Sequence, residues 1–385
     1  MTKLLFKDQQ DSIKVPILEV QPDGVSDESL KVTDRHYSTS DLKFFFILLV
    51  LIFTGFFVVQ KMATDARITE EARLQTMFAD FLKKFPRAYK SSDERDYRYS
   101  VFKKNVHEYE EEEKKMDGVD FDLTDFADWT NFELRRLVFK PQSMENISQI
   151  VGLSRMEGSS LWPFVKRVEK VDWRSTGKVT HVKNQGSCGS CWAFATVAAI
   201  ESRHAIVKGQ TVSLSEQQLV DCDSRNHACR GGFRPYAMDF VKENGLVPEN
   251  KYPYEGSQQD HCRISGLENT TRIFIDSYRI LSRNEEYIAD WVASTGPVSV
   301  GMTVTKPMYM YKSGIFDPTP EDCKEKSVGS HAVTIVGYDR TNDGKQYWIV
   351  KNSWGTSWGM NGYFHLARGV NSCGIANVPV APVIT

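Results

Sequence analysis

The stretch that decides the fold reads Gln185-Gly-Ser-Cys188-Gly-Ser-Cys191-Trp-Ala-Phe, near the middle of a chain of 385 residues. Ser190 is a good helix N-cap, and the alanine-rich run that starts at Cys191 predicts a helix ending at Gly209. The positive end of a helix dipole favours a thiolate and so lowers the pKa of its thiol. Because a thiolate is the attacking species in acyl transfer, Cys191 is predicted to be a nucleophile.

Cys188 and Cys191 also form a C-x-x-C pair, a spacing found in redox sites and in zinc sites. The chain has no second C-x-x-C pair and no histidine pair at the spacing of a zinc finger, and no β-α-β pattern leads into the motif. We therefore favour neither a redox pair nor a metal site, and we expect no cofactor.

A cysteine nucleophile needs a base and a group that orients the base. His331 begins a β-rich run bounded by Gly329 and Gly337, and a histidine at the start of a core strand is held rigidly, as a general base must be. Asn352 follows another predicted strand, where its amide oxygen can orient the imidazole, and Trp354 can shield that hydrogen bond from water. Each of these residues, taken alone, also fits a purely structural role.

The order Cys191, His331, Asn352 and the signature C-G-S-C-W-A-F closely resemble the papain-like cysteine proteases of the cathepsin L group. The resemblance runs from residue 170 to residue 385, through Asp221-Cys-Asp, Cys229-Arg-Gly-Gly, Gly296-Pro-Val and Asn352-Ser-Trp-Gly. It implies an α+β, papain-like fold of two lobes. A helical lobe would begin with the Cys191 helix, and a β-barrel-like lobe would carry His331 and Asn352.

The resemblance also implies the reaction, which is hydrolysis of peptide bonds. Cys191 would attack the scissile carbonyl, while His331 would protonate the leaving amine and then activate water. Asn352 would orient His331, and the Gln185 amide and the Cys191 backbone N–H would stabilise the oxyanion. The short stretch from Cys229 to Cys262 leaves no room for a long occluding insertion of the cathepsin B kind, which favours an endopeptidase.

The substrate-binding residues are likewise implied by the resemblance. Gly232 would offer its backbone to an extended substrate, as in strand addition. Phe233 and Val378 favour an apolar P2 residue, whereas Arg234, where an apolar residue is expected, is predicted to narrow or polarise the rim of the S2 pocket. The predicted substrate contacts are Gly231, Gly232, Phe233, Arg234, Gly301, Ser330, Trp354 and Val378.

All seven cysteines lie at or after Cys188. An odd count in an exported protein suggests six paired thiols and one free thiol, but six cysteines allow fifteen pairings, among which sequence alone does not choose. The resemblance leaves Cys191 free and implies the pairs Cys188–Cys229, Cys222–Cys262 and Cys323–Cys373.

Residues 44–60 are predicted to form a transmembrane signal-anchor, with a cleaved signal peptide as the alternative. The run has no charge from residue 44 to residue 59, 43 residues precede it, and no clear cleavage site follows. The positive charges on its two sides are balanced, but every cysteine lies C-terminal to it, which favours a type II orientation. Residues 1–43 would be a disordered cytosolic tail, and the glycosylation sequons at Asn146 and Asn269 would lie in the lumen.

Residues 67–137 are predicted to be a helical inhibitory propeptide. Four residues match the E-x3-R-x3-F-x2-N spacing of the family's propeptide: Glu94, Arg98, Phe102 and Asn105. The pattern departs from the family at Tyr109 and Glu113, and its downstream motif is reduced to Asp122, Thr124, Phe126 and Asp128. An extended linker over 138–166 and a peptidase domain over 167–385 would follow, with cleavage near Lys166 or Arg167.

Composition limits the other classes of function. The 48 basic and 50 acidic residues give a net charge of -2, which excludes a strongly basic nucleic-acid binder, and a single apolar segment excludes a multi-span transporter. The predicted function is therefore a zymogen of a cysteine endopeptidase, acting in an acidic compartment as a monomeric enzyme that is lysosomal or secreted. The alternative is a membrane-tethered binding or inhibitory protein whose residues 67–137 keep the site covered.

Overall fold

The computed structural model describes residues 13–17, 33–37, 39–139 and 168–385, which fall into two compact units, 1–80 and 81–385. Several predictions lie outside the described residues. They are the sequon at Asn146, the cleavage positions Lys166 and Arg167, and the linker from residue 140 to residue 166.

The first unit begins with a pair of antiparallel strands, β1 (Ile13–Ile17) and β2 (Thr33–Tyr37). Both strands fall within residues 1–43, for which a disordered cytosolic tail is expected from the sequence. The alternation of Ile13, Val15 and Ile17 with Lys14 and Pro16 has the period of a strand, and it is the signal that could have indicated one.

Helix α1 (Thr39–Lys84) contains the apolar segment. It is long and apolar enough to cross a membrane, and none of its most apolar window is buried. A helix of a soluble core would bury such side chains, so a core role does not explain the segment. A signal sequence and an anchor both fit it.

The second unit begins with the propeptide region, which contains α2 (Ser92–Glu113), β3 (Val119–Phe121) and α3 (Asn131–Leu134). Ser91 caps α2, and Thr130 and Glu133 form a capping box on α3. Arg98 of α2 holds both carboxylate oxygens of Glu133, at 2.6 and 2.7 Å, and so ties the two helices together.

Two further residues of the matched propeptide pattern fix the fold of this region. The ring of Phe102 packs 5.4 Å from that of Phe81, and the Asn105 amide donates hydrogen bonds to the carbonyls of Ala127 and Trp129 at 2.9 Å. These contacts explain why the spacing of the pattern predicts a compact helical region.

The peptidase region combines short helices with one mixed sheet. Its helices are α4 (Cys191–Lys208), α5 (Glu216–Cys222), α6 (Arg234–Asn244), α7 (Glu285–Ser294) and α8 (Pro320–Glu325). Its strands are β4 (Val171–Asp172), β5 (Ser277–Ile280), β6 (Val298–Thr305), β7 (Tyr311–Phe316), β8 (Ser327–Arg340), β9 (Gln346–Lys351), β10 (Tyr363–Ala367) and β11 (Val380–Val383).

The propeptide strand β3 completes this sheet at one edge. The order of the strands is β3-β7-β10-β9-β8-β6-β11-β5, and β4 pairs with β8. Val119 of β3 lies opposite Gly314 of β7, where a Cβ atom would come within 2.0 Å of the Gly118 carbonyl oxygen. Gly314 also has φ +89°, so glycine is required for this close approach.

Apolar packing holds the helical part against the sheet. Trp192, Val197 and Ile200 of α4 are fully buried with Met238 of α6 and Val380 of β11 in one core cluster. The disulfides add cross-links, and they form in the pairing that the resemblance implies: Cys188–Cys229, Cys222–Cys262 and Cys323–Cys373. Such bonds contribute about 2–4 kcal/mol each. The architecture is α+β, as predicted.

Candidate active site

Cys191 is the first residue of α4 and is a buried free cysteine. Ser190 occupies the N-cap position as predicted, but its side chain caps no backbone N–H. Its hydroxyl instead forms a 2.6 Å hydrogen bond with the Tyr254 hydroxyl. The helix start is therefore held by tertiary packing, and its backbone N–H groups are left for other acceptors.

His331 and Asn352 meet because antiparallel β8 and β9 bring their ends together, with Thr334 lying opposite Lys351. The His331 Nε2 atom lies 2.7 Å from the Asn352 Oδ1 atom, and both residues are buried. The Trp354 ring lies 4.8 Å from the imidazole and is itself buried. The hydrogen bond is therefore shielded from water, which is the role predicted for Trp354.

The other imidazole nitrogen, Nδ1, is buried and has no hydrogen-bond partner among the described residues. Cys191 packs in one cluster with Ala332, the next residue after His331, and its sulfur receives the Ala332 backbone N–H. Since Nε2 is engaged by Asn352, Nδ1 is the nitrogen left to exchange a proton with the thiol.

Burial controls the protonation of this pair. It raises the pKa of Cys191 to about 12, despite the backbone N–H groups and the Arg234 charge nearby, and it lowers the pKa of His331 to about 4. The lowered thiol pKa predicted from the helix dipole is therefore wrong for this covered site. Desolvation outweighs the dipole when no water reaches the sulfur, so both groups are neutral near pH 7.

Gln185 is fully buried at the position predicted for the oxyanion-hole amide. Its Nε2 atom donates hydrogen bonds to the Leu137 carbonyl at 2.9 Å and to the Cys188 carbonyl at 2.8 Å. Its Oε1 atom accepts from the Ser353 hydroxyl at 2.7 Å, which fixes the amide orientation. A carbonyl of the propeptide thus takes the donor that would otherwise serve a substrate.

Residues 138–139 continue along the site. Phe139 exchanges backbone hydrogen bonds with Ser330 at 2.9 and 2.8 Å. A Cβ on Gly231 would lie 2.5 Å from the Phe139 Cβ, and a Cβ on Gly329 would lie 2.6 Å from the Val138 side chain. Leu137 and Phe139 were not identified from the sequence, because Leu137 acts through its backbone carbonyl and an isolated phenylalanine carries no signal of the site that it covers.

Three of the predicted S2 residues, Arg234, Val378 and Gly301, lie together, but Arg234 is buried more deeply than expected. Arg234 donates a 2.5 Å hydrogen bond to the Val378 carbonyl, and a Cβ on Gly301 would lie 2.6 Å from the arginine Nη1. Arg234 is 6% exposed, so it lies deeper than the rim position expected from the sequence, and its influence on the S2 pocket stays a prediction. The missing side chain at Gly301 leaves the space that admits the guanidinium. Phe233 is also buried, in the core of the helical lobe.

A buried charge network behind the site was not predicted. The Lys183 ammonium contacts carboxylates of Glu201, Glu216 and Glu249 at 3.0, 2.7 and 3.3 Å. Burial raises the pKa of Glu216, and Lys183 opposes that rise. The paired charges lie far apart in the sequence, so local pattern gives no sign of them. They link α4 and α5 to the segment that carries Gln185.

Comparison with known proteins decides the family. The description "Papain family cysteine protease" matches residues 168–383, and "Cathepsin propeptide inhibitor domain (I29)" matches residues 78–134. The chain belongs to the papain family of cysteine proteases. Residues 78–134 are accordingly a propeptide inhibitor domain, and the chain is the zymogen form of such a protease.

Papain-family relatives cover most of the chain. It is 39% identical over 302 residues to "Thiol protease SEN102" of Hemerocallis sp., covering 76% of this chain and 82% of that protein. It is 36% identical over 318 residues to "Cathepsin L-like proteinase" of Phaedon cochleariae, covering 80% and 94%. Among solved structures, digestive procathepsin L2 proteinase of Tenebrio molitor is 34% identical, with a TM-score of 0.70, covering 81% of this chain and 100% of that one.

Two further points concern metal binding and the second glycosylation sequon. Among the described residues, no group of three or more His, Cys, Asp or Glu side chains is placed to hold a metal ion. Asn269 of the second sequon is exposed in a turn.

Proposed function

We propose that this papain-family zymogen yields a cysteine endopeptidase whose catalytic residues are Cys191, His331, Asn352 and Gln185. The observation that carries the proposal is the 2.7 Å hydrogen bond that orients His331, on a strand packed against the free thiol at the start of α4. A Cys–His pair with a third orienting group is the arrangement that nucleophilic acyl transfer requires.

In the proposed mechanism the propeptide first leaves, and water enters the cleft. Hydration removes the cost of charging the pair, so the Cys191 proton moves to the Nδ1 atom of His331. The thiolate attacks the scissile carbonyl, and the Gln185 Nε2 and the Cys191 backbone N–H hold the oxyanion. The imidazolium then protonates the leaving amine, and neutral His331 activates the water that hydrolyses the acyl-enzyme.

The substrate is proposed to bind as an extended strand along Gly231 and Gly232. Support comes from Phe139, which already lies against Gly231 and pairs with Ser330 through its backbone. Phe233 and Val378 favour an apolar wall for the P2 side chain. The short stretch from Cys229 to Cys262 leaves no room for a long occluding insertion, which favours endopeptidase cleavage.

The precursor is proposed to be a type II membrane protein anchored by residues 44–60 and glycosylated at Asn146 and Asn269. Its domains would be those expected from the sequence, with cleavage near Lys166 or Arg167. Acid would loosen the propeptide, because two carboxylates of α2, Glu108 and Glu112, pair with lysines of the peptidase region. The mature enzyme would be monomeric and lysosomal or secreted.

The experiment uses the full chain in detergent, acidified and incubated with a peptidyl epoxide that alkylates cysteine nucleophiles. Mass spectrometry reads the chain size and the labelled residue together. One label on Cys191 in a chain that begins near residue 167 supports the proposal, and the matched variant Cys191→Ala must stay unlabelled and unprocessed.

The alternative, a tethered inhibitor whose site stays covered, predicts a different outcome. The chain would remain intact and unlabelled at every pH, and Cys191 would stay unlabelled even after cleavage of the chain by added trypsin. Processing that is equal at pH 4 and pH 7 would contradict the acid trigger alone.

A further inference from the structure

Arg234 carries a charge that the proposed mechanism does not use. Its side chain is buried at the first position of α6, and among the described residues its only hydrogen bond goes from Nη2 to the carbonyl oxygen of Val378. The Nε atom is buried without a hydrogen-bond partner. A guanidinium has five N–H donors, so one carbonyl leaves most of its capacity unused.

No carboxylate compensates this charge within the described residues. No ion pair joins Arg234 to an acidic side chain there, and the one charge that acts on it appreciably is the Cys191 thiol when ionised. Burial lowers the pKa of Arg234 to about 10, so the side chain is still a cation at neutral and acidic pH. A buried cation without an acidic partner is rare in folded proteins, because it carries an uncompensated desolvation cost.

The position of the guanidinium relative to the nucleophile follows from the sheet. Gly301 of β6 lies opposite Ala332 of β8, whose backbone N–H meets the Cys191 sulfur. Residues directly opposite on antiparallel strands are about 4.5–5.5 Å apart. Since Gly301 leaves the space that Arg234 fills, the guanidinium lies one strand away from the reacting thiol, beside the path proposed for the substrate.

The surroundings of the Arg234 guanidinium also include apolar side chains. Phe233 and Val378 are buried members of one hydrophobic cluster next to Arg234. A glutamate side chain suits such a pocket, because its two methylene groups contact apolar walls and its carboxylate reaches the guanidinium.

We propose that Arg234 makes the S2 pocket selective for an acidic P2 residue, so that this protease cleaves substrates with glutamate or aspartate two residues before the scissile bond. The inference rests on the proposed function, since it assigns specificity to the same site. In this proposal the S2 pocket has apolar walls and a fixed positive charge at its end, so it does not simply prefer an apolar P2 residue.

The test uses the mature enzyme produced from the full chain, with active sites counted by epoxide labelling. The probes are fluorogenic peptides acetyl-Ala-Xaa-Arg-aminomethylcoumarin, in which Xaa at P2 is Glu, Gln, Leu or Arg. Glu and Gln have the same shape, so their ratio of kcat/KM isolates the charge. We expect Glu to exceed Gln by about 30-fold, which is about 2 kcal/mol at 1.4 kcal/mol per tenfold, and Arg to be the poorest.

Arg234→Met should bring the Glu to Gln ratio close to one and raise kcat/KM for Leu, since the pocket becomes apolar. Arg234→Lys keeps a charge and should retain part of the preference, which provides a second variant if the Met variant fails to fold. The matched control is Arg230→Met, which removes an exposed arginine four residues away and should leave the ratio as in the parent enzyme.

The outcomes separate the two proposals. Labelled, active enzyme with a Glu to Gln ratio near one, or with the same ratio in Arg234→Met, overturns the specificity and leaves the endopeptidase proposal standing. Enzyme that is neither labelled at Cys191 nor active on any of the four peptides overturns both.

Discussion

Strand β8 lies between β6 and β9 in the middle of the sheet, whereas the propeptide strand β3 pairs with β7 at its edge. Most of β8 from His331 to Tyr338 is buried on both faces, and the small cavity behind it measures about 20 Å³. The propeptide helix α2 faces the peptidase region across a cleft of about 540 Å³. Strand β8 is therefore packed more closely than the contact between α2 and the peptidase region.

The peptidase region and the propeptide also differ in their covalent bonds and ion pairs. The three disulfides all lie in the peptidase region. The propeptide is joined to that region partly by ion pairs, Glu108 with Lys306 and Glu112 with Lys326. Ion pairs weaken in acid and salt while disulfides do not, so we expect these conditions to loosen the propeptide before they affect the peptidase region. The difference explains how an inhibitor can be removed without unfolding the enzyme.

The largest expected effect is a loss of kcat/KM on substitution of Asn352, which contacts His331 of the buried strand β8. Asn352→Ala leaves the His331 imidazole without its orienting acceptor, so we expect kcat/KM to fall by about 100-fold. The measurement is peptide hydrolysis by mature enzyme at equal labelled concentration. Asn342→Ala, in an exposed turn, is the control and should keep full activity. Equal activity of both variants would contradict the assigned role of Asn352.

The propeptide strap over residues 137–139 should give a smaller effect. Phe139→Ala keeps the backbone pairing with Ser330 but removes the ring that packs at the Cys191 cluster. We expect propeptide inhibition of mature enzyme to weaken by about 10-fold, since a partly buried ring contributes about 1–2 kcal/mol. The measurement is the inhibition constant of the propeptide.

The matched control for that variant is Phe132→Ala, since Phe132 is a propeptide phenylalanine that is 75% exposed. If both substitutions weaken inhibition equally, the contact of Phe139 with the site is not what holds the strap.

Glu133→Gln tests the tie between α2 and α3. Arg98 lowers the pKa of Glu133 to about 2, below about 4.3 in the unfolded chain. A lowered pKa stabilises the fold above the unfolded value and loses that effect as pH falls toward the folded value. We therefore expect the latent Cys191→Ser chain to lose about 1 kcal/mol on Glu133→Gln at pH 5–7. The loss should shrink below about pH 4.5 and vanish near pH 2.

Thermal unfolding across that pH range provides the measurement. Arg98→Ala, alone and combined with Glu133→Gln, completes a double-mutant cycle, in which the two losses should not add. A loss that persists at pH 2 would show that the ion pair is not its cause.

The smallest effect is expected at the contact between α2 and the peptidase region. Glu112 is partly buried, yet hydrogen bonds from Lys326 and Lys115 hold its pKa below the usual value. Glu112→Gln should weaken propeptide inhibition about twofold at low salt, and the difference should disappear near 1 M salt. Glu111→Gln, on the exposed side of α2, should have no effect at either salt concentration. A twofold effect that is independent of salt would indicate packing instead of charge.

The sequence predicted the parts that depend on local pattern or on family spacing. The helix from Cys191 to its end before Gly209, the strands around His331 and Asn352 and the disulfide pairing are all present in the structure. The spacing of Arg98, Phe102 and Asn105 likewise predicted a compact propeptide, because those residues make its internal contacts.

Predictions failed where burial decided the outcome. The pKa of Cys191 depends on water being excluded from the thiol, and the place of Arg234 depends on the gap left by Gly301. The network around Lys183 depends on carboxylates from distant segments. None of these is a property of a local stretch of sequence, because each is set by what folds against the residue.

The short strand β3 has a consequence for the processed enzyme. When the propeptide departs, β7 becomes an open edge of the sheet, since its other side pairs with β10. Open edges invite pairing with other chains. Here the part of β7 that β3 covers runs only from Tyr311 to Gly314, is interrupted by an irregular register and contains Gly314 with φ +89°. The part of β7 that β3 covers is thus too short and too bent to pair stably with a strand of another chain. Removal of the propeptide therefore need not expose an edge that promotes aggregation.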